Sequence, residues 1–367
     1  MNAVRQKPDE FARTAAAFFS DLQARICATF ESFEPTARFE HKAWGKPEGH
    51  RLQGGGQMRV MRGQVFEKVG VNVSHVWGAF APQHARVAET TGPARERSQP
   101  AAASASGVSA AHANTSAATD GVSKGQPTAT AMSDVSAKRA ITRATSGVVS
   151  AAQPNPPRMA GSSGALTNEP GGPVGLAARD AESGFIACGI SLVAHMVNPY
   201  VPAVHMNLRY LLTNQEWFGG GADLTPTFPF DDDTADFHAA LREPCEAYQP
   251  GTYQRLKEWC ETYFYLPHRQ EPRGVGGIFF DELSSGNREA DFAFVRGVGE
   301  AFLRVYPKIV ARRLNTPYDE AARERLLVKR GRYVEFNLVY DRGTKFGFGT
   351  DADPEAYLMS LPPLVKW

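Results

Sequence analysis

The chain has 367 residues, with 40 Lys and Arg against 39 Asp and Glu, so its formal net charge at neutral pH is +1. This balance excludes an overall attraction to nucleic acid or to an anionic membrane, and no nucleic-acid partner is predicted. The longest apolar run, residues 185–197, is interrupted by Ser191 and His195 and is too short for a transmembrane segment. The four cysteines form no C-x-x-C pair, which favours reduced, buried thiols and a cytoplasmic protein.

Composition divides the chain into two folded blocks. Residues 81–184 contain no Phe, Trp or Tyr and are rich in Ala, Ser, Thr, Gly and Pro. Such a segment cannot bury enough apolar surface to offset the entropy lost on ordering. We therefore predict one folded domain built from residues 1–84 and 182–367, with a low-complexity, disordered insert at residues 85–181.

The first block begins with a helix and continues with strands. Apolar residues recur at helical spacing from Phe11 to Phe30, which predicts an amphipathic helix of about five turns. Four short β-prone runs separated by glycine follow, and we expect them to form antiparallel strands: residues 38–44, 57–62, 64–70 and 71–80.

The second block begins with two predicted strands that carry polar side chains. Residues 184–197 are apolar on both faces, which predicts a strand in the middle of a sheet, with Ser191 and His195 on one face. In the next strand, side chains alternate so that His205, Asn207 and Arg209 share a face. The glycine run at residues 219–221 predicts a turn that leads into Asp223.

Helices dominate the remainder of the sequence. We expect helices after residue 231, around residues 253–263, at residues 292–309 and at residues 318–329. A strand is expected at residues 276–280, ending at Asp281, and another at residues 333–340, leading to Asp341 and Arg342. Strands that cluster early and late, with helical blocks between them, favour an α+β fold with an antiparallel sheet.

Several residues could carry chemistry, and the patterns leave alternatives open. Arg209 beside Asn207 could bind a carboxylate or a phosphate, or could form a structural ion pair. Asp223 could cap a turn or project into a pocket. No nucleotide-binding glycine motif is present, and no G-x-S-x-G sequence makes Ser191 a nucleophile. Four histidines could form a metal set, although none of them has metal-motif spacing: His195, His205, His238 and His268.

The motifs, taken in order, resemble one enzyme family. These are VFEKVGVNVSHVWG, NPYVPAVHMNLRY, GGGADLTP, WCETYFYLPHR, RGVGGIFFDEL, GRYVEFNLVYDRGTKFG and LMSLPPLVKW. They are similar to oxygen-dependent coproporphyrinogen III oxidases. The resemblance implies oxidative decarboxylation of two propionates of coproporphyrinogen III to vinyls, in haem biosynthesis, with O2 as the acceptor and no flavin or nicotinamide. It also implies a homodimer of single-domain subunits, each with a large antiparallel sheet flanked by helices on both faces.

The resemblance assigns roles to individual residues. His205 matches the proposed proton donor, and Asp223 matches an aspartate that faces the pyrrole N–H groups. Residues matching substrate contacts are Ser191, Asn207 and Arg209, and Asp341 and Arg342 match a functional pair after the last strand. Some members are described with metal-binding histidines at positions matching His195, His205, His238 and His268, so a divalent metal remains an open expectation.

Elementary chemistry agrees with this assignment. A porphyrinogen is an apolar macrocycle with four pyrrole N–H donors and a rim of carboxylates, so it needs an apolar cleft, a central acceptor and peripheral cations. Asp223 could be the acceptor, and Arg209 and Arg342 the cations. One departure is the sequence Asp351-Ala352-Asp353, where the family usually has an Arg-containing loop. We expect two carboxylates there to weaken propionate binding unless another cation, such as Lys345, substitutes.

Two alternatives remain from the sequence. The histidines could serve a metal-dependent oxygenase or decarboxylase, whose activity a chelator would abolish. The altered Asp351-Ala352-Asp353 loop could instead indicate a non-catalytic tetrapyrrole-binding protein derived from the same fold, which would bind a porphyrin without consuming O2.

Overall fold

The computed structural model describes residues 8–79, 184–348 and 353–367. The predicted insert at residues 85–181 lies outside these ranges, as do Asp351 and Ala352. All described residues belong to one compact unit.

Seven strands form one antiparallel sheet in the order β1-β2-β3-β4-β5-β6-β9, and β7 and β8 form a separate two-stranded hairpin. The strands are β1 (Glu40–Gly45), β2 (Leu52–Met61), β3 (Phe66–Ala79), β4 (Gly184–Met196), β5 (Ala203–Leu212), β6 (Glu216–Thr225), β7 (Tyr265–Leu266), β8 (Glu271–Pro272) and β9 (Gly276–Leu283). The predicted strand at residues 184–197 is confirmed as β4, the central strand of the sheet.

Seven helices accompany the sheet in the described residues. They are α1 (Glu10–Glu31), α2 (Asp231–Tyr248), α3 (Thr252–Tyr263), α4 (Arg288–Arg313), α5 (Glu320–Val339), α6 (Arg342–Phe348) and α7 (Pro354–Leu358). Helix α1 confirms the first predicted helix, and Asp9 caps it by accepting a hydrogen bond from the Ala12 backbone N–H at 2.7 Å.

One face of the sheet holds the main hydrophobic core. The even-numbered residues of β4 and β5 from Ile190 to Tyr210 are buried there against α1 and α4. Aromatic contacts join these layers, for example Phe11 of α1 against Tyr210 at 5.1 Å between ring centroids. The alternation predicted for β5 is therefore confirmed, and its polar residues face the opposite side of the sheet.

Helix α5 and the end of the chain cover part of that opposite face. The Tyr333 ring of α5 packs edge-on against His195 of β4, with centroids 5.0 Å apart. The Asn72 side chain of β3 donates to the Ala356 carbonyl at 3.0 Å, and Lys68 donates to the Leu361 carbonyl at 2.7 Å. Helices thus flank the sheet on both faces, which confirms the predicted α+β class.

Three local predictions are wrong. Gly219, Gly220 and Gly221 lie inside β6 rather than in a turn, and β3 is one strand where two had been expected. Residues 333–339 form the second half of α5, not a strand. The alternating pattern there also fits a helical repeat, and packing of Tyr333 and Phe336 onto the sheet selects the helix.

None of the described helices combines the length and apolarity needed to cross a membrane.

Candidate active site

A polar row crosses the open face of the sheet on its central strands. Ser191 of β4 is in register with Asn207 of β5, and His205 and Arg209 lie two residues away on either side of Asn207. All four side chains are half-buried, so they remain accessible from this face. The structure therefore brings together the four residues that the sequence placed on neighbouring strands.

Arg209 lies between two glycines that leave room for its side chain. Gly189 of β4 and Gly219 of β6 are its register partners. A Cβ atom on Gly219 would come within 2.6 Å of the Arg209 Cζ atom. The guanidinium occupies that space, donates to the Asn207 Oδ1 atom at 2.9 Å and forms an ion pair with Asp281 of β9 at 2.8 Å. The absence of a side chain at Gly219 therefore leaves the depression that holds this cation.

His205 and Asp223 form a hydrogen-bonded pair across β5 and β6. The two residues are register partners, and the His205 Nδ1 atom donates to the Asp223 Oδ1 atom at 2.9 Å. The His205 side chain is 23% exposed, whereas that of Asp223 is 2% exposed. The carboxylate thus fixes the imidazole and leaves Nε2 as the nitrogen that can exchange a proton with a ligand.

Arg273 contacts Asp223, and the sequence reasoning missed this contact. Its guanidinium donates to the second carboxylate oxygen of Asp223 at 2.5 Å, and its side chain is 2% exposed. The guanidinium is enclosed by three aromatic rings, with centroid distances of 3.9 to 4.8 Å: Phe264, Tyr333 and Phe336. A single Arg in the segment between β8 and β9 carries no periodic signal, so nothing in the sequence indicated this contact.

The surroundings of Asp223 keep its carboxyl group ionised. Burial by itself would raise the pKa of Asp223, but the Arg273 charge and the hydrogen bond from His205 together lower it below its usual value. Both carboxylate oxygens are engaged, Oδ1 by His205 and Oδ2 by Arg273. Asp223 is therefore a buried anion held from two sides.

Asp341 and Arg342 lie at the β9 side of the same face. Asp341 precedes α6 and Arg342 is its first residue. The Asp341 carboxylate accepts hydrogen bonds from the Thr344 N–H at 2.6 Å and the Tyr263 hydroxyl at 3.1 Å. The Arg342 guanidinium lies 5.0 Å from the Tyr263 ring centroid, and that ring stacks on Phe279 of β9 at 4.2 Å. These contacts place the cation against an aromatic wall beside the polar row.

The four histidines named as a possible metal set each have their own hydrogen-bond partners. His195 donates from Nε2 to the Ser360 carbonyl at 2.8 Å, and His205 is paired with Asp223. His238 has both ring nitrogens engaged, by Val275 and Tyr253, and His268 by Glu335 and Tyr340. Within residues 8–79, 184–348 and 353–367, no group of three or more potential ligands is arranged to hold a metal ion. These histidines therefore do not fit a shared metal site.

Of the Asp351-Ala352-Asp353 sequence, which stands where the family usually has an Arg-containing loop, the structure describes Asp353. Its carboxylate pairs with Lys42 of β1 at 3.0 Å and accepts the Glu355 N–H at 3.0 Å as the N-cap of α7. These contacts lower the pKa of Asp353, led by the hydrogen bond from Lys42. Its charge thus has a cation partner on β1, while Lys345, the suggested substitute cation, is exposed on α6.

Comparison with known proteins gives a consistent assignment. The family model described as coproporphyrinogen III oxidase matches residues 14–120 and 127–367. A protein from Rickettsia bellii (strain OSU 85-389), named oxygen-dependent coproporphyrinogen-III oxidase, is 40% identical over 361 residues, 96% of each chain. Proteins with the same name from Rickettsia felis and Rickettsia akari are 39% and 38% identical, over 96% and 95% of this chain and 97% and 96% of their own. The chain belongs to the coproporphyrinogen III oxidase family.

Proposed function

We propose that this protein converts coproporphyrinogen III to protoporphyrinogen IX by oxidative decarboxylation of two propionates to vinyls, with O2 as the electron acceptor, in haem biosynthesis. The observation that carries the proposal is the polar row of Ser191, His205, Asn207 and Arg209, accessible on the sheet of a chain that belongs to this family. The row offers donors for a substrate carboxylate and a histidine for proton exchange.

Carboxylate binding follows from the cations around the row. Arg209 and Asn207 form a fixed donor pair on β5, and Ser191 lies beside Asn207 on β4. Arg342 stands against the aromatic wall of Tyr263 and Phe279, which suits an apolar macrocycle with charged arms. We assign Ser191, Asn207, Arg209 and Arg342 to substrate binding, with charge-assisted hydrogen bonds orienting the reacting propionate.

Proton transfer is assigned to His205. Its Nδ1–H is held by Asp223, so Nε2 can give or take a proton at the substrate while the Asp223 anion compensates a positive charge on the ring. Asp341 supports this side of the site by accepting from the Tyr263 hydroxyl. We propose that the pyrrole, which is electron-rich, reacts with O2 itself, while the protein orients the substrate and manages protons.

The role of Asp223 follows from its burial. Direct acceptance from the pyrrole N–H groups, which the resemblance implies, would require the His205 ring to move aside, because both carboxylate oxygens are engaged and the side chain is 2% exposed. In the arrangement described, Asp223 acts on the substrate indirectly, by orienting the His205 ring. A loss of turnover in Asp223→Asn with unchanged porphyrin affinity would support action through His205, and a parallel loss of affinity would support direct contact with the ring.

An aerobic assay tests the proposed function. Purified protein is incubated with coproporphyrinogen III, with and without EDTA, and protoporphyrin fluorescence is followed after chemical oxidation. We expect product in both conditions. Product only without EDTA would favour the metal-dependent oxygenase. No product in either condition would overturn the proposed reaction, and tight porphyrin binding without O2 uptake would then favour a non-catalytic binding protein.

We also propose that the protein is a homodimer in the cytoplasm. Four apolar side chains are 50–70% exposed and available for a contact between subunits: Val339, Phe348, Leu364 and Trp367. The four cysteines are all free and buried, which suits a reducing compartment. Light scattering after size-exclusion chromatography would measure the assembly, and a monomeric mass would contradict the dimer.

A further inference from the structure

A β-bulge interrupts β9 opposite the glycine that faces Arg209. Phe218 pairs with Leu283 and Gly220 pairs with Phe280, so Asp281 and Glu282 together lie opposite the single residue Gly219. Glu282 has a φ of 51°, in the left-handed region that a glycine would adopt more easily. Non-glycine residues in this conformation are costly and concentrate at functional sites, where a bulge redirects a side chain.

The bulge directs Asp281 at the Arg209 guanidinium. The Asp281 Oδ1 atom forms an ion pair with the Arg209 guanidinium at 2.8 Å. The same oxygen accepts a hydrogen bond from the backbone N–H of Glu282 at 3.1 Å. The Asp281 side chain is 4% exposed. The left-handed residue therefore supplies the N–H that fixes the carboxylate, and the carboxylate fixes the cation.

The surroundings of Arg209 leave its orientation dependent on the ion pair with Asp281. Its two strand neighbours, Gly189 and Gly219, have no side chains to confine it, and its guanidinium contacts Asn207 and Asp281. Two buried atoms beside the row, Arg209 Nε and Asp281 Oδ2, have no hydrogen-bond partner within the described part of the chain. Buried polar atoms are normally satisfied, so unpaired atoms at this place indicate a site that is completed by a ligand or by water.

We propose that Asp281 is a positioning residue for substrate binding, which holds Arg209 over Gly219 in the orientation that receives a propionate, and that the Asp281–Glu282 bulge exists to place it there. The inference rests on the proposed function. Its physical basis is that ordering a long side chain before binding removes that entropic cost from the binding step.

A second effect of Asp281 has the opposite sign. Its negative charge also repels an incoming carboxylate, so a residue that only screened Arg209 would weaken substrate binding. Arg209 is 25% exposed on an accessible face, where water screens this repulsion. The direction of the change on removing Asp281 therefore separates positioning from screening.

The experiment measures binding of coproporphyrin III, the oxidised tetracarboxylate that cannot be turned over, by quenching of its fluorescence. We expect Asp281→Ala to weaken binding roughly tenfold and Asp281→Asn, which keeps an acceptor for Arg209, to weaken it less. In an Arg209→Ala background, Asp281→Ala should have no further effect, because the two residues act as one unit. Should Asp281→Ala fail to fold, Asp281→Asn carries the test, with at least about a twofold loss expected.

Asp291→Ala is the matched control. Asp291 is also an almost fully buried carboxylate, but it accepts from the Tyr248 and Ser285 hydroxyls at the start of α4. We expect this variant to lower the melting temperature and to leave coproporphyrin binding unchanged. If Asp281 had only a structural role, its variants would give the same result.

Several results would overturn the inference. These are unchanged or tighter binding in the Asp281 variants, a full additional loss in the Arg209→Ala background, or a wild-type protein that binds no coproporphyrin. Wild-type turnover of coproporphyrinogen III is measured separately. A protein that binds coproporphyrin through Arg209 and Asp281 but forms no product would contradict the proposed reaction and support this inference.

Discussion

Arg273 and Asp223 form a buried ion pair at 2.5 Å in which each side chain is only 2% exposed. The pair lies directly behind His205, which donates to the other oxygen of Asp223. Removing one partner of a buried pair leaves the other as an uncompensated charge, and this costs far more than the loss of an exposed pair. The contact therefore links the stability of the fold to the orientation of the proposed proton donor.

Replacing Arg273 should destabilise the protein strongly. We expect Arg273→Met to lower the free energy of unfolding by about 3–5 kcal/mol, measured by urea denaturation, because Asp223 would stay buried without its cation. Arg304→Met is the control, since Arg304 pairs with Glu243 and both side chains are exposed. That loss should be below about 1 kcal/mol. Similar losses for both variants would contradict the buried-pair argument.

His195 should make stability fall with pH below neutrality. Burial lowers the pKa of His195 to about 3, whereas an unfolded histidine titrates near 6.5. The unfolded state therefore takes up the proton first, and stability is constant above about pH 7 and falls as the pH drops toward 3. The loss by pH 5 should be about 2 kcal/mol.

The measurement is the urea midpoint at pH 7, 6 and 5 for wild type and His195→Gln. The variant removes the titrating group, so its stability should change less with pH. His41→Gln, at an exposed position on β1, serves as the control and should keep the wild-type slope. An unchanged slope in His195→Gln would contradict the assignment to this buried histidine.

The sequence predicted the parts of the site that depend on strand periodicity. Alternation along β5 placed His205, Asn207 and Arg209 on one face, and the apolar pattern of β4 placed that face at the centre of the sheet. A period of two fixes which side of a sheet a residue occupies, and this requires no knowledge of distant contacts.

The missed features all depend on contacts distant in sequence. Glycines at residues 219–221 resemble a turn locally, but they lie inside β6, and the space beside Gly219 is occupied by Arg209 from the neighbouring strand. Arg273 contacts Asp223, a residue 50 positions away in the sequence. Residues 333–339 form a helix rather than a strand because the aromatic residues of α5 pack on the sheet face. Local propensity carries no information about such partners, so tertiary packing decided each case.

His205 should govern turnover more than binding. We expect His205→Ala to lower kcat roughly 100- to 10,000-fold, the usual range for loss of a positioned proton-transfer group, with a smaller change in the affinity for coproporphyrin. Product formation from coproporphyrinogen III and porphyrin binding are measured on the same preparations. His268→Ala tests whether the histidines share a metal ion. If they do, both variants should lose activity alike. If they do not, only His205→Ala should lose most of its activity.

Gly219→Ala tests whether the depression in β6 exists for Arg209. The new Cβ would lie 2.6 Å from the Arg209 Cζ atom, so the guanidinium must leave its place beside Asn207 and Asp281. We expect KM for coproporphyrinogen III to rise roughly tenfold and the free energy of unfolding to fall by about 1–3 kcal/mol, as for other overpacked sites. Gly45→Ala is the matched control, because its nearest neighbour would be 3.9 Å away at the sheet edge. An unchanged KM in Gly219→Ala would show that substrate binding does not require Arg209 in this position.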